Sequence, residues 1–375
     1  MLEGLLGIRL VLWMGPTAPL PAPYEVLQAL SRVEVTQDVD SAEGFSLTFT
    51  LGKDKSPEYS LINSGALQPF GRVVIGVVLG VVPEVLMDGV ITHYQLQPSN
   101  EPGRTTLTVI GRDVSVMLDL EEKNESYPNQ PDFVIMTRIL AAYGQYGLVP
   151  VATPTTDVPI MLERVPRQQE TDLRFLQRLA RRNGFVFYIE PLTFGVNQAY
   201  FGPENRLGLP QPALSVDFGP STNVERLDFS NDALAPVGTQ GAFVEPLTKI
   251  AIPIPSLPSL RMPPLASSPA PARRTVQLRQ SANQSPIQAA LAAVSTVTTA
   301  PEAVRGEGEV DTIRYGSVLR ARRLVGVRGA GRSYDGFYYV RRVTHTIERG
   351  QTARYTQRFT LSREGTGTLV PVVRP

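Results

Sequence analysis

Glu170 and Asp172 stand two positions apart in the segment QQETDLRFLQRLARRNGFVFYIE (168–190). Paired carboxylates are the usual equipment of acid–base hydrolysis. At the start of a helix, however, this spacing sends the two side chains in different directions. Capping and compensation of the helix dipole is then the simpler role for both. Glu121 and Glu122 fall in a polar loop and read as solvated. The two histidines, His93 and His345, leave few options for a Ser-His-Asp triad and exclude a His-rich metal site. His345 lies between Thr344 and Thr346 in an alternating strand with no obvious acid beside it. It reads as a packed or hydrogen-bonded strand histidine, and His93 reads the same way. The glycine-rich GVRGAGRSYDG (326–336) lacks the Gly-Lys-Ser/Thr ending of a phosphate loop and a following helix, so it reads as a β-turn. There is no cysteine, which rules out disulfides, a thiol nucleophile and thiolate metal sites. No cofactor or metal is expected.

The formal net charge is +1 and charged residues make up 19% of the chain. That balance argues against a dominant nucleic-acid or membrane-surface role. The C-terminal part nevertheless carries many arginines, which are the side chains phosphate contacts need. Acids interleave with them, so solvated strand faces are the plain reading and nucleic-acid binding is a rival one.

The elements that hold these groups are mostly strands. FSLTFTLGK (45–53) sends Phe45, Leu47, Phe49 and Leu51 one way and Ser46, Thr48 and Thr50 the other. SRVEVTQDV (31–39) places Val33, Val35 and Gln37 on one side. GIRLVLWMG (7–15), GVITHYQLQP (89–98) and RTTLTVIGRD (104–113) complete a set with only a weak helical signal at 24–30 among them. Such closely spaced strands predict a small antiparallel barrel or sandwich. VVIGVVLGVVPEVLM (73–87), interrupted by Gly76, Gly80 and Pro83, reads as buried strands and turns rather than a membrane helix.

Helical spacing appears at 132–144, with Asp132 at its start and Gly144 at its end, followed by a strand expected at PIMLERVP (159–166). In the opening segment Thr171 can cap a helix, and Asp172 places negative charge at its positive end. Leu173, Phe175, Leu176, Leu179 and Ala180 recur at helical steps, and Gly184 supplies the stop before a strand at FVFYIE. From 233 to 305 the chain is rich in Pro, Ala and Ser. It reads as a linker or surface excursion that builds no core, with one short helix at 285–297. Strands return from 307, ending in a hairpin that turns at ERGQT. A weak internal echo links DGVITHYQLQ (88–97) with GFYYVRRVTHTIE (336–348), and FSLTFTLGKD with YTQRFTLSRE.

The pattern Q-x-E-T-D-L-x-F-L-x-R-L-A-x-x-x-G, carried by Glu170, Thr171, Asp172, Phe175, Leu176, Leu179 and Gly184, resembles the hallmark of the phage late control gene D and VgrG tail proteins. VEVTQDVDSAEGFSLTFTL, DGVIT, IGRDVSVMLD and the closing hairpin follow in the order seen in that family. The resemblance implies a mainly β protein with two related β-barrel domains and α/β insert elements, three copies of which form a pseudo-sixfold ring. On this basis the chain divides into a first barrel at 1–115, an α/β insert with two helices at 116–205, connecting strands at 206–232, the Pro/Ala-rich excursion at 233–305 and a second barrel at 306–375. The implied role is a baseplate hub of a phage tail or contractile injection particle, assembled in the bacterial cytoplasm. As a homotrimer it would join a hexameric inner tube protein to a trimeric spike, expected to be a separate polypeptide, with no specific nucleic acid and no membrane insertion. No lysozyme-like segment is visible. Arg320, Arg322, Arg341 and Arg342 are candidates to line the lumen or a subunit interface. A cell-wall-degrading tail enzyme and an Arg-mediated nucleic-acid binder are the alternatives.

Overall fold

Period-two alternation becomes strand wherever it was strongest. A computed structural model describes residues 7–52, 59–63, 65–101, 103–159, 161, 164–244, 250–254, 259–278, 286–349 and 353–369. In the strand Gly44–Leu51, Phe45, Leu47, Phe49 and Leu51 are all buried. In Leu30–Asp38 the buried face is Val33, Val35 and Gln37. The apolar run after Phe70 forms the hairpin Arg72–Leu79 and Val82–Gln97, which turns at Gly80 with φ +77°. The glycine-rich segment is likewise a hairpin, between Leu324–Arg328 and Gly336–Glu348. Among the described residues no helix is long and apolar enough to cross a membrane.

Among the described residues, the largest sheet has 13 strands. Its pairing path is open at both ends among the described residues, so the closed barrels expected from the sequence are not seen; the fold is mainly β with mostly antiparallel pairing. The sheet contains the same connectivity twice. In the first unit Leu30–Asp38 pairs with Gly44–Leu51, which pairs with Thr105–Asp113, then Val82–Gln97, then Arg72–Leu79, then Ile8–Gly15. In the second, Arg226–Asn231 pairs with Val304–Asp311, then Arg354–Arg363, then Gly336–Glu348, then Leu324–Arg328, then Gln211–Ser215. Only the last pairing differs in sense, antiparallel in the first unit and parallel in the second.

Local details repeat with the connectivity. The central hairpins each carry a bulge, at Ile91/His93 and at Val340/Arg342. Just before the next strand in each unit sits a non-glycine residue with positive φ, Phe70 at 59° and Arg322 at 63°. Phe70 N donates to Ile91 O and Arg322 N to Val340 O, the equivalent carbonyl. A four-residue helix, Ser60–Asn63 or Thr312–Tyr315, precedes each of these turns. Tracing the register outward from the bulges superimposes Arg32-Val33-Glu34-Val35-Thr36-Gln37 on Arg226-Leu227-Asp228-Phe229-Ser230-Asn231, matched in chemical type at every position.

The register also corrects one of the echoes. DGVITHYQLQ does correspond to the Gly336–Glu348 strand. The counterpart of Arg354–Arg363 is Thr105–Asp113, however, and Gly44–Leu51 corresponds to Val304–Asp311. The tight Val39–Glu43 connection of the first unit is replaced in the second by the long Pro-rich excursion.

Each unit has its own core. Val33, Val35, Leu47, Phe49 and Val109 belong to one, and Val310, Val325, Val340, Phe359 and Leu361 to the other. Ile347 and Tyr355, from the closing hairpin, reach into the first core. The chain between the units forms a third core, in which the helices Asp132–Ala141 and Asp172–Arg182 pack on the sheet Val186–Thr193, Val196–Gly202 and Leu148–Ala152.

Three local expectations change. The helix that begins at Asp132 ends at Ala141, and Gly144 opens a short 3-10 turn instead of stopping it. The strand expected at 159–166 falls partly outside the described residues; those described there are not strand, and pairing begins at Arg167–Thr171 against Glu122–Ser126. The Pro-rich excursion does build a small core. Its strand Ala251–Ile254 and helix Pro286–Thr299 bury Ile254, Ala289 and Ala293 together. Alanine can do this because a small side chain lets helix and strand approach closely.

Candidate functional site: the joint between the β-units

The motif helix is built as its residue types dictate. Thr171 is the cap: its Oγ1 accepts from Arg174 N at 3.4 Å and donates to Asp119 at 2.6 Å. Phe175, Leu176 and Leu179 are buried, and Phe175 stacks on Tyr127 with ring centroids 5.5 Å apart. Each such burial contributes roughly 1.5–3 kcal/mol before entropy is subtracted. Gly184 follows the cap with φ +68°. An added Cβ there would stand 3.2 Å from Leu260 Cδ1. The excursion covers this helix end, and Ser295 Oγ donates to Arg181 O at 2.5 Å.

Glu170 and Asp172 diverge. Glu170 pairs with Arg178 at 2.6 Å near the surface. Asp172 is buried and accepts from Lys123 Nζ at 2.6 Å, Tyr143 OH at 2.7 Å and Gln168 Nε2 at 2.7 Å. Burial, reinforced by Asp172, pushes the Tyr143 hydroxyl well above its ordinary pKa. With three donors around it, Asp172 ties the helix start to Lys123, Tyr143 and Gln168, whereas Glu170 is held by Arg178.

The four candidate arginines all gather at the joint where the units meet. There the C-terminal half of Gly336–Glu348 pairs with Leu30–Asp38, from Arg342↔Asp38 to Glu348↔Arg32. Arg320 Nη1 donates to Val85 O at 2.5 Å, and its other nitrogen lies 3.1 Å from Glu84. Arg322 is buried. It pairs with Glu43, donates to Asp38 O at 2.8 Å and lies over the Tyr188 ring at 4.1 Å. Arg341 bridges Asp40 at 2.5 Å and Glu204 at 2.7 Å. Arg342, half-exposed, pairs with Asp38 at 2.8 Å. Arg320 and Arg322 thus turn inward, and Arg342 keeps the most solvent contact of the four. Burial raises the Glu43 pKa to about 7 against the opposing pull of Arg322, with Asp113 adding to the rise.

Sequence reasoning missed two further clusters. Arg206, fully buried, meets Glu302 at 2.7 Å, Glu204 at 3.3 Å and Glu364 at 3.4 Å. Arg261 of the excursion joins Glu204 at 3.1 Å. Arg72 and Asp88, both buried, pair at 2.6 Å, and Asn197 Nδ2 donates to Asp88 at 2.9 Å. Arg72 also donates to Tyr146 O at 2.9 Å, which clasps the insert to the first unit. The available signal was a lone charge inside each of two apolar runs, Arg72 before VVIG and Asp88 within VLMDGVI.

His345 is buried, with Nδ1 2.9 Å from Tyr355 OH. Burial, with Arg320 nearby, holds its pKa down at about 3. His93 departs from its expected packing and is exposed on its strand. A cleft of about 580 Å³ opens beside the joint, lined by residues including Asp40, Arg112, Asp113, Arg174, Arg181 and Arg341. Among the described residues no group of three or more His, Asp or Glu is arranged to hold a metal. These pairings and contacts join the two like units and the insert to one another.

Neither a protein-family model nor a curated protein matches the sequence. Among solved structures, the chain is similar to a tail protein from Neisseria meningitidis MC58, with 15% identity, a TM-score of 0.62 and coverage of 96% of this chain and 98% of that one. It is also similar to the 43 kDa tail protein of prophage MuSo2 from Shewanella oneidensis, with 14% identity, a TM-score of 0.63 and coverage of 95% and 98%. A third is the E. coli c3393 protein, a type VI secretion component with structural similarity to the T4 bacteriophage tail proteins gp27 and gp5. There the identity is 14%, the TM-score 0.55 and the coverage 92% and 77%. The fold is that of phage-tail and type VI secretion proteins, in agreement with the motif resemblance.

Proposed function

We propose that this chain is a structural baseplate hub of a contractile tail or injection machine. Three copies form a ring that presents six like units to a hexameric tube and three equivalent positions to a trimeric spike, around a central channel. The observation that carries this reading is the repeated connectivity: one chain holds two β-units of the same strand order, fastened edge to edge. A threefold assembly of such chains offers six similar surfaces without needing six identical subunits. Curved units that complete their sheets across neighbours would also leave few free strand edges. The buried arginine–carboxylate contacts suit a part that transmits force, since they fix the units' relative orientation. The divergence of Glu170 and Asp172 supports a mechanical over a hydrolytic role.

Native mass measurement of the purified protein, paired with class-averaged electron micrographs, tests the reading. A three-copy ring with a central hole is expected. A monomer at all accessible concentrations overturns it.

A further inference from the structure

In the intrachain joint, the first strand of unit one, Leu30–Asp38, adds to the part of Gly336–Glu348 that extends beyond its Leu324–Arg328 neighbour. Both participants have counterparts in the other unit. Arg226–Asn231 is the counterpart of Leu30–Asp38 and is the terminal strand of the sheet path. Val82–Gln97 is the counterpart of Gly336–Glu348 and likewise runs past its Arg72–Leu79 neighbour, whose pairing ends at Val90. Among the described residues, 93–97 pair with Thr105–Asp113 on one side only.

We propose that the Arg226–Asn231 strand of one copy adds antiparallel to residues 93–97 of the next, closing the ring. The proposal rests on the trimeric hub reading. The register transfers residue by residue from the intrachain joint. Arg342 opposite Asp38 becomes His93 opposite Asp232, again a cationic-capable side chain facing an acid. Thr344 opposite Thr36, whose hydroxyls lie 3.2 Å apart, becomes Gln95 opposite Ser230. His345 opposite Val35, both fully buried, becomes Leu96 opposite Phe229.

Burial supports the assignment. Leu96 is 41% exposed and Phe70, the counterpart of buried Arg322, is 51% exposed. Leu227 and Phe229 are only partly buried, where their counterparts Val33 and Val35 are at 1% and 0% exposure. An apolar strand face left half-covered at a sheet edge marks a place where another strand adds. The contact is head-to-tail, so three of them close a ring, and together with three intrachain joints they make six.

The absence of cysteine makes disulfide trapping a clean test. Directly opposed residues in an antiparallel pair lie within reach of a disulfide. The Gln95→Cys/Ser230→Cys variant, oxidised, is expected to run as a covalent trimer in denaturing gels, and each single variant as a monomer. Thr36→Cys/Thr344→Cys serves as the internal standard and closes within one chain. A native trimer that cross-links at 36/344 and not at 95/230 overturns the seam while leaving the hub reading intact. A native monomer overturns the hub reading itself. Leu96→Glu, at an exposed position, covers the case in which the double variant fails to fold. It is expected to keep the monomer folded and weaken trimer association at least tenfold, and undiminished association overturns the seam.

Discussion

Phe70 and Arg322 hold the same rare backbone conformation, φ 59° and 63°, and each donates its amide to the carbonyl at the equivalent position of its own unit's central hairpin, Ile91 and Val340. Their side chains have diverged completely. Arg322 is buried against Glu43 and Asp38, whereas Phe70 is half exposed. The backbone position is common to the two units, and the side chain reports what each unit is joined to.

Arg322→Met removes the cation and leaves Glu43 and Asp113 buried without it. Breaking one side of a buried pair costs about 3–5 kcal/mol. A corresponding drop in the urea midpoint is expected, with partial recovery in Glu43→Gln/Arg322→Met. An unchanged midpoint would mean the pair does not fasten the joint.

The two motif carboxylates separate cleanly by substitution. Asp172→Ala strips a buried acceptor from Lys123, Tyr143 and Gln168 and is expected to cost about 3–5 kcal/mol. Glu170→Ala breaks a pair whose arginine is 51% exposed and is expected to cost less than about 1 kcal/mol. Equal losses for the two in chemical denaturation would contradict the structural assignment of Asp172.

Gly184→Ala forces a Cβ into a left-handed position and to 3.2 Å from Leu260. A loss of about 1–2 kcal/mol is expected from the backbone alone. Thermal unfolding measures it.

His345 gives a pH dependence of definite sign. Its pKa is held at about 3 in the fold against an ordinary 6.5. Below pH 6.5 the unfolded chain takes up a proton that the folded chain refuses, so stability present above pH 6.5 is lost as pH falls toward 3. Relative to His345→Gln, the wild type is expected to lose roughly 2 kcal/mol between pH 6.5 and 5. Parallel stability profiles of the two proteins would refute the assignment.

The alternation of Gly44–Leu51 and the capped, glycine-stopped motif helix were legible because each is written locally, in period and in end signals. The duplication was not. Arg32–Gln37 and Arg226–Asn231 match at every position but are far apart in sequence, and the excursion intervenes before the second unit resumes. All amphipathic strands look alike at period two, so FSLTFTL resembles YTQRFTL, and only pairing order distinguishes the true counterparts. The arginines read as solvated faces because their partners, Glu43, Asp38 and Glu204, lie in distant segments that only the fold brings near.

The most direct test is a side-chain-resolution electron cryomicroscopy structure of the assembled particle, read for the rotation that carries unit one onto unit two within a chain. A rotation of one sixth of a turn about the particle axis, with Arg226–Asn231 of each copy laid along residues 93–97 of the next, is the expected result. Two units related by any other operation, or a particle in which those strand edges face solvent, would contradict the duplicated-ring account.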